Sequence, residues 1–345
     1  MNRDAKRTLL QDVAREAGVS TASVSRVLNR APHVSERLRN RVEAAIDSLG
    51  YVPDGTARAL ASRRIGAIGA LVPTLDNPVF SAMIDSLEQR LKQYDCRLLI
   101  ATYRYSLDEE VESLRTLIQQ GIDGAVLIGH DHLPATLELF RRHEVPYLTC
   151  WHSEEDPDWP SIGFDNAAPA RHLAEHLIDL GHRRFGVISA PVDGNDRARA
   201  RLAGFRQALE TAGLDLADDH VVTVEYGIEE GAAAFAELMR LMPRPTAILC
   251  GNDVLAFGAM FAAAQAGIAI PDDLSITGFD DLPQSRFMHP ALTTVAAPSA
   301  EVGRLVADTL VARIRGDQTP HRQVLEARVV LRGTTAPPLH EMEPA

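Results

Sequence analysis

The stretch DVAREAGVSTASVSRVLN, residues 12–29, carries two short apolar stripes separated by a glycine. Leu10, Val13, Ala14 and Ala17 recur at helical spacing and stop at Gly18, which predicts a first helix over roughly residues 9–17. Thr8 and Gln11, three positions apart, have the spacing of a capping box at its start. Gly18 suits the positive φ of a tight turn, Ser20 suits the cap of a second helix, and Val24 and Val27 give that helix an inward face up to about Asn29. A third helix is expected from Ser35 to Leu49, with Leu38, Val42, Ala45, Ile46 and Leu49 on one stripe and Gly50 placed to terminate it. Three such helices close a small core with the layout of a helix-turn-helix. In that layout the second helix enters the major groove, where Thr21, Ala22 and Arg26 face bases and Ser20, Ser23, Ser25 and Asn29 reach phosphates or sugars. Arg26 is the candidate reader of guanine.

The charge of the chain is divided to match. The whole carries a net −12, but residues 1–64 hold 12 Lys and Arg against 7 Asp and Glu, a balance of +5 that leaves −17 for the remainder. Only the head attracts a polyanion, and the acidic body repels one.

Beyond the head, residues 54–64 read DGTARALASRR, with Leu60 as the one large apolar side chain; alone this is a marginal helix. From residue 65 apolar β-like runs alternate with helical stretches, which predicts parallel sheets with helices on both faces. One series comprises IGAIGALVP (65–73), CRLLIAT (96–102), GAVLIG (124–129) and PYLTCW (146–151). A second series is expected to begin near SIGFD (161–165) and to continue with RFGVISA (184–190), HVVTVEY (220–226), TAILCGND (246–253) and LSITGFD (274–280). The fold class expected is therefore an all-α helix-turn-helix head on an α/β body of two doubly wound parallel-sheet lobes. LTTVAAP (292–298), a helix over 299–315 and a strand near 323–331 are left over, and a return to the first lobe accounts for them.

At this point the chain resembles the lactose-repressor (LacI/GalR) family of bacterial regulators. The resemblance rests on DVAxxAGVSxxxVSRVLN, on HVSERLRNRVEAAIDSLGYVPD (33–54) and ARALAS (57–62), and in the body on HLIDLGHRRFGVISAP (176–191), RLAGFRQALETAG (201–213), TAILCGNDVLAFGAM (246–260), GIAIPDDLSITGFDDLP (267–283) and LTTV (292–295). It implies a head over 1–53, a hinge helix over 54–64 that wedges Leu60 into the minor groove, and an effector-binding and dimerisation body of periplasmic-binding-protein type over 65–345. The first lobe would take about 65–162 and 293–323, the second about 163–292 and 324–335. The partners implied are operator DNA, a small-molecule effector of sugar or nucleoside type, and a second copy of the chain. Two heads on a pseudo-palindromic site multiply the discrimination of one.

Ligands of doubly wound folds bind beyond the carboxyl ends of the strands. The resemblance carries the effector positions to Asn77, Val79, Phe80, Trp151 and His152 in the first lobe, and to Arg199, Arg201, Tyr226, Asn252 and Asp280 in the second. Phe80, Trp151 and Tyr226 would stack on a ring, while Arg201, Asn252 and Asp280 would meet hydroxyls or amide-like groups. Many relatives have an aspartate where Trp151 stands, which points to a flatter or more apolar ligand here.

Other function classes find little support in the residues. No GxGxxG, GxxxxGK[ST], HExxH or GxSxG is present, so no catalytic residue, metal or cofactor is expected. The pair His172 and His176 with nearby His182 reads as a solvated helix face and a loop. Cys96, Cys150 and Cys250 have no metal or disulfide spacing and read as reduced, buried thiols. Neither an apolar run of membrane-spanning length nor a signal-peptide core occurs, so the expected location is cytoplasmic, with no membrane partner. The proline-rich acidic end, GTTAPPLHEMEPA, lacks leucine heptads, and a dimer is expected without a helical tetramerisation tail.

Overall fold

The computed structural model describes residues 8–28, 31, 33–51 and 66–339. Asn29, Leu60 and the whole expected hinge helix lie outside the described residues. The chain divides into two compact units, residues 1–66 and 67–345.

The head unit contains α1 (Leu10–Glu16), α2 (Thr21–Leu28) and α3 (Glu36–Leu49). Val13, Ala14, Ala17, Val24, Val27, Val42, Ala45 and Tyr51 form its core, the apolar stripes read from the sequence plus the tyrosine that follows the Gly50 cap of α3. Ser20 caps α2 by accepting from Ser23 N (3.1 Å), and Ser35 caps α3 by accepting from Leu38 N (3.3 Å). Gly18 (φ 60°) and Gly50 (φ 55°) take the left-handed conformation their turns require. The start of α1 differs from expectation: Leu9 is the cap residue, and its N–H donates to Asp12 Oδ2 (2.9 Å), while Thr8 turns to Leu49 O (3.5 Å). A carboxylate three residues into the helix also suits the positive helix end, so Asp12 serves where Gln11 was expected.

In the body, β1 (Ala67–Val72), β2 (Arg97–Thr102), β3 (Gly124–Ile128), β4 (Tyr147–Cys150), β5 (Ser161–Phe164) and β11 (Arg322–Leu325) form a parallel sheet in the order β2-β1-β3-β4-β5-β11. Both faces are covered, so β1 buries every side chain: Ile68, Ala70 and Val72 pack under α4 (Ser81–Lys92) and α11 (Ser299–Arg315), whereas Leu71 packs under α5 (Leu107–Gln119) and α6 (Pro134–His143). That is why the strand reads as a continuous apolar run.

The second sheet has the order β7-β6-β8-β9, from β6 (Phe185–Ser189), β7 (Val221–Thr223), β8 (Ala247–Cys250) and β9 (Ser275–Thr277). Its helices are α7 (Ala167–Asp179) with α8 (Asp196–Thr211), and α9 (Ile228–Leu238) with α10 (Asp253–Gln265). An antiparallel ribbon of β10 (Thr294–Ala296) and β12 (Arg328–Val330) lies beside the end of β9 through parallel bridges Thr277 to Thr293 and Asp280 to Ala296.

Two boundaries depart from expectation. SIGF joins the first sheet by pairing Ser161 and Ile162 with Thr149 and Cys150, rather than opening the second lobe. The return strand β11 continues that sheet from Arg322 to Leu325, past the expected crossing at residue 323. An apolar run announces a strand, but its length and period say nothing of which sheet edge it will extend.

Helices pair at near backbone contact. A Cβ added to Gly258 on α10 would lie 2.1 Å from Ile228 O and 2.8 Å from Ala232 N on α9. Neither backbone atom can rotate away, so Gly258→Ala must push the helices apart. The expected cost is about 1–3 kcal/mol of stability, read by urea denaturation; an unchanged midpoint would contradict this packing.

Candidate functional site

On α2 the buried Val24 and Val27 set the orientation of the helix. Thr21, Ala22 and Arg26 are exposed on the opposite face, with Ser20 exposed beside them and Ser23 and Ser25 partly covered. Ser20 Oγ and Ser23 Oγ are 3.0 Å apart, so these hydroxyls stiffen the first turn. The side chains proposed to face bases thus share one solvent-open surface, as helical spacing demands.

The second candidate site lies where the two lobes of the body meet. In each sheet the strand order reverses, around β1 and β3 in the first and around β6 and β8 in the second, and the segments leaving those carboxyl ends converge. Arg201, on α8, is its most connected side chain. It donates from Nε to Asn166 Oδ1 (2.9 Å), from Nη1 to Gly251 O (2.8 Å) and from Nη2 to Asp280 Oδ1 (3.0 Å), and its guanidinium stacks 3.7 Å above the Phe279 ring centroid. Asn166 in turn donates to Trp151 O (2.9 Å). One buried arginine therefore ties the ends of β8 and β9 to the crossing after β5. Burial pushes the Asp280 carboxyl up to about 6 against the pull of Arg201.

Asn252 caps α10 through Leu255 N (2.9 Å), and Tyr226 Oη accepts from Asn195 Nδ2 (3.3 Å). Asp280 and Asp281 hold φ of 108° and 52°, Trp151 holds 73°, and Arg104 and Tyr105 hold 47° and 59°. These non-glycine residues all sit just past strand ends, where strained backbone commonly marks a functional site.

The first-lobe residues play different parts from those expected. Phe80 and Trp151 are packing residues: their rings meet edge-on at 5.2 Å, Trp151 also meets Phe164 at 5.4 Å, and Trp151 Nε1 donates to Met83 Sδ (3.0 Å). Val79 is buried, and Asn77 accepts from Val79 N (3.2 Å) to start the 3-10 turn. His152 is held by Thr149 Oγ1 (2.8 Å) and Glu154 Oε2 (3.1 Å), and it draws Glu154 down to about 2. The aromatic at position 151 is thus accommodated by the core.

Arg199 also departs from its expected part. It is half exposed and forms a two-pronged bond across the lobes to Asp131, at 2.7 and 2.9 Å. Arg197, which sequence reasoning passed over, points inward instead. It lies one helical turn before Arg201 on the same face of α8, a spacing legible in NDRARAR had it been used. Its Nη1 bonds Asp196 Oδ1 (2.6 Å), and Asp196 Oδ2 accepts from His130 N (3.1 Å) in the first lobe. A Cβ on Gly129 (φ 94°) would fall 2.1 Å from Arg197 Nη1, so only glycine admits this side chain. Burial works against the Arg197 charge, but the carboxylate of Asp196 holds its pKa above the usual value. Desolvation likewise raises Tyr103 and Tyr105, keeping both phenols protonated.

The Asp131 and Arg199 bond fastens the lobes and is exposed to solvent, so it should be weak. A double-mutant cycle with Asp131→Ala and Arg199→Ala, read by urea denaturation, is expected to give a coupling of about 0.2–1 kcal/mol. Zero coupling would remove the fastening.

His176 meets Thr335 Oγ1 (3.2 Å), and His182 clamps the C-terminal segment through Thr246, Ser275 and Ala336 O; no metal-ligating cluster is found among the described residues. Cys150 and Cys250 are buried thiols, and Cys96 is partly buried. No described helix is long and apolar enough to cross a membrane.

A helix-turn-helix head attached to a two-lobed α/β body, with a polar site at the facing strand ends, defines the class of ligand-responsive transcription regulators. Residues 9–54 match the model of bacterial regulatory proteins of the lacI family, and residues 174–335 match that of the periplasmic binding protein-like domain. The ribose operon repressor of Haemophilus influenzae is 35% identical over 94% of this chain and 97% of its own. The lac repressor dimer bound to operator and the anti-inducer ONPF superimposes with a TM-score of 0.84 at 28% identity, covering 96% of this chain and 100% of that one. A LacI family regulator from Enterococcus faecium with bound ribose gives 0.70 at 26% identity, over 79% and 99% of the two chains. The chain belongs to the LacI family of bacterial transcription regulators.

Proposed function

We propose that this protein is a cytoplasmic transcription repressor that binds a pseudo-palindromic operator as a homodimer and is controlled by a sugar-like effector held between its lobes. The observation that carries the reading is the exposed α2 surface of Thr21, Ala22 and Arg26 on a head of net charge +5, beside a body of −17. That division confines DNA contact to one end of the chain. Relatives named for a ribose operon, or holding ribose or the operator, support both halves of the reading. The DNA-contacting set is Thr21, Ala22 and Arg26 toward bases and Ser20, Ser23, Ser25 and Asn29 toward phosphates or sugars, joined by the Leu60 wedge. The effector set is Asn195, Arg197, Arg201, Tyr226, Asn252 and Asp280.

Control follows from linkage. An effector that binds one arrangement of the lobes more tightly shifts the population, and the operator, favouring one arrangement through the segment 54–62, shifts effector affinity by the same factor. No residue is assigned a catalytic part: Arg201 and Asp280 are engaged in holding geometry, and the hydroxyl-imidazole pairs among the described residues, Thr149 with His152 and Ser275 with His182, are buried structural contacts. Fluorescence anisotropy of a labelled operator duplex tests the linkage. At least one sugar of a panel is expected to change the operator Kd about 5–150-fold; strong sugar binding without any such change would contradict it.

A further inference from the structure

The spare hydrogen-bonding capacity between the lobes is unbalanced, and the imbalance selects among ligands. Each inward acidic or amide group already accepts from the protein: Asp196 from Arg197 and His130 N, Asp280 and Asn166 from Arg201, Asn195 from Ala198 N, Asn252 from Leu255 N. Among the buried atoms left unpaired here are two amide or guanidinium donors, beside the ring nitrogen His130 Nδ1. Arg197 Nη2 and Asn252 Nδ2 are buried side-chain atoms without a hydrogen-bond partner, on residues 4% and 1% exposed. The phenols of Tyr105 and Tyr226, whose rings are 6.1 Å apart, add further O–H donors.

Sugar hydroxyls both donate and accept, so a neutral sugar needs acceptors as well as donors, and the carboxylates here already share theirs with the protein. A carboxylate or phosphate only accepts, and it needs what this site holds in reserve. An unpaired buried donor is costly, more so on a charged group, which favours a ligand oxygen that accepts from it. Arg197 supplies the charge, since Arg201 has all three of its donor nitrogens engaged.

From this imbalance we infer that the effector is an acidic sugar, carrying a carboxylate or phosphate, and that Arg197 reads the acidic group by donating from Nη2. This rests on the proposal that the interlobe site binds the effector. The missing Cβ at Gly129 leaves the space that Arg197 Nη1 occupies.

The test is isothermal titration of the full-length protein with matched pairs: ribose against ribose 5-phosphate, and glucose against gluconate. The acidic member of at least one pair is expected to bind about tenfold or more tightly than its neutral partner, and the pair that responds tells phosphate from carboxylate. Arg197→Gln should erase the preference, and Arg197→Lys, which keeps a charged donor, should retain part of it. Thermal melting checks that each variant folds, and operator binding is measured on the same samples. Intact operator binding with equal affinity for both members, a preference that survives Arg197→Gln, or no binding by any of the four sugars overturns the inference. Loss of operator binding by the unmodified protein would instead overturn the regulator reading.

Discussion

Arg201→Ala is expected to destabilise the body by about 3–5 kcal/mol and to abolish any effector response, leaving the helix-turn-helix folded. The reason lies in what the guanidinium leaves behind. Asp280 would keep a buried carboxylate without its cation, Asn166 and Gly251 O would each lose a donor, and the Phe279 face would lose the charge stacked on it. An unpaired buried charge costs more than the pair contributes, so the double variant Arg201→Ala with Asp280→Asn should be less damaged than Arg201→Ala alone. Circular dichroism through a urea titration reads the loss as a shift of the body's transition. A transition moved by less than about 1 kcal/mol would mean that Arg201 is hydrated and that the network is not the site's framework.

The second large effect concerns the head. Arg26→Ala removes a side chain exposed on the outward face of α2. A bidentate arginine to guanine contact is worth about 1–3 kcal/mol of discrimination, and two heads on one operator roughly double it to about 2–6 kcal/mol. Specific affinity should therefore fall between about thirtyfold and about 25,000-fold, while affinity for unrelated duplex changes little. A phosphate contact would behave otherwise: both affinities would weaken together, and the salt slope would fall by about one for each arginine lost. Competition binding at several salt concentrations separates the two.

Much of this architecture was legible before any coordinates. The head could be read because its three helices are short, capped by Ser20 and Ser35, and closed by local apolar contacts whose spacing is itself the signal. The strands of the body could be read because both faces of each sheet are covered, which leaves apolar runs. Sheet membership could not: SIGF pairs with a strand that ends only a short loop earlier, the strand at 322–325 pairs with SIGF from the far end of the body, and no local pattern encodes either choice of edge.

The site was legible in part, and what the sequence does not convey about its side chains has one cause. Trp151 and Phe80 follow strands as a ring platform would, but Met83 and Phe164 surround them, and those neighbours come from other elements. Arg199 was favoured over Arg197 although they lie two residues apart on one helix and so face different ways. Helical phase, referred to Arg201, separates the inward arginine from the one that reaches across to Asp131.

The central claim, that an exposed helix on a basic head makes this chain a sequence-specific regulator, is tested most directly by selection from randomised duplex DNA with the purified full-length protein across a salt series. The expected result is enrichment of one pseudo-palindrome with a central pyrimidine-purine step, its two halves spaced for a dimer, and binding that weakens steeply as salt rises. Recovery of DNA with no common sequence at any salt concentration would contradict it.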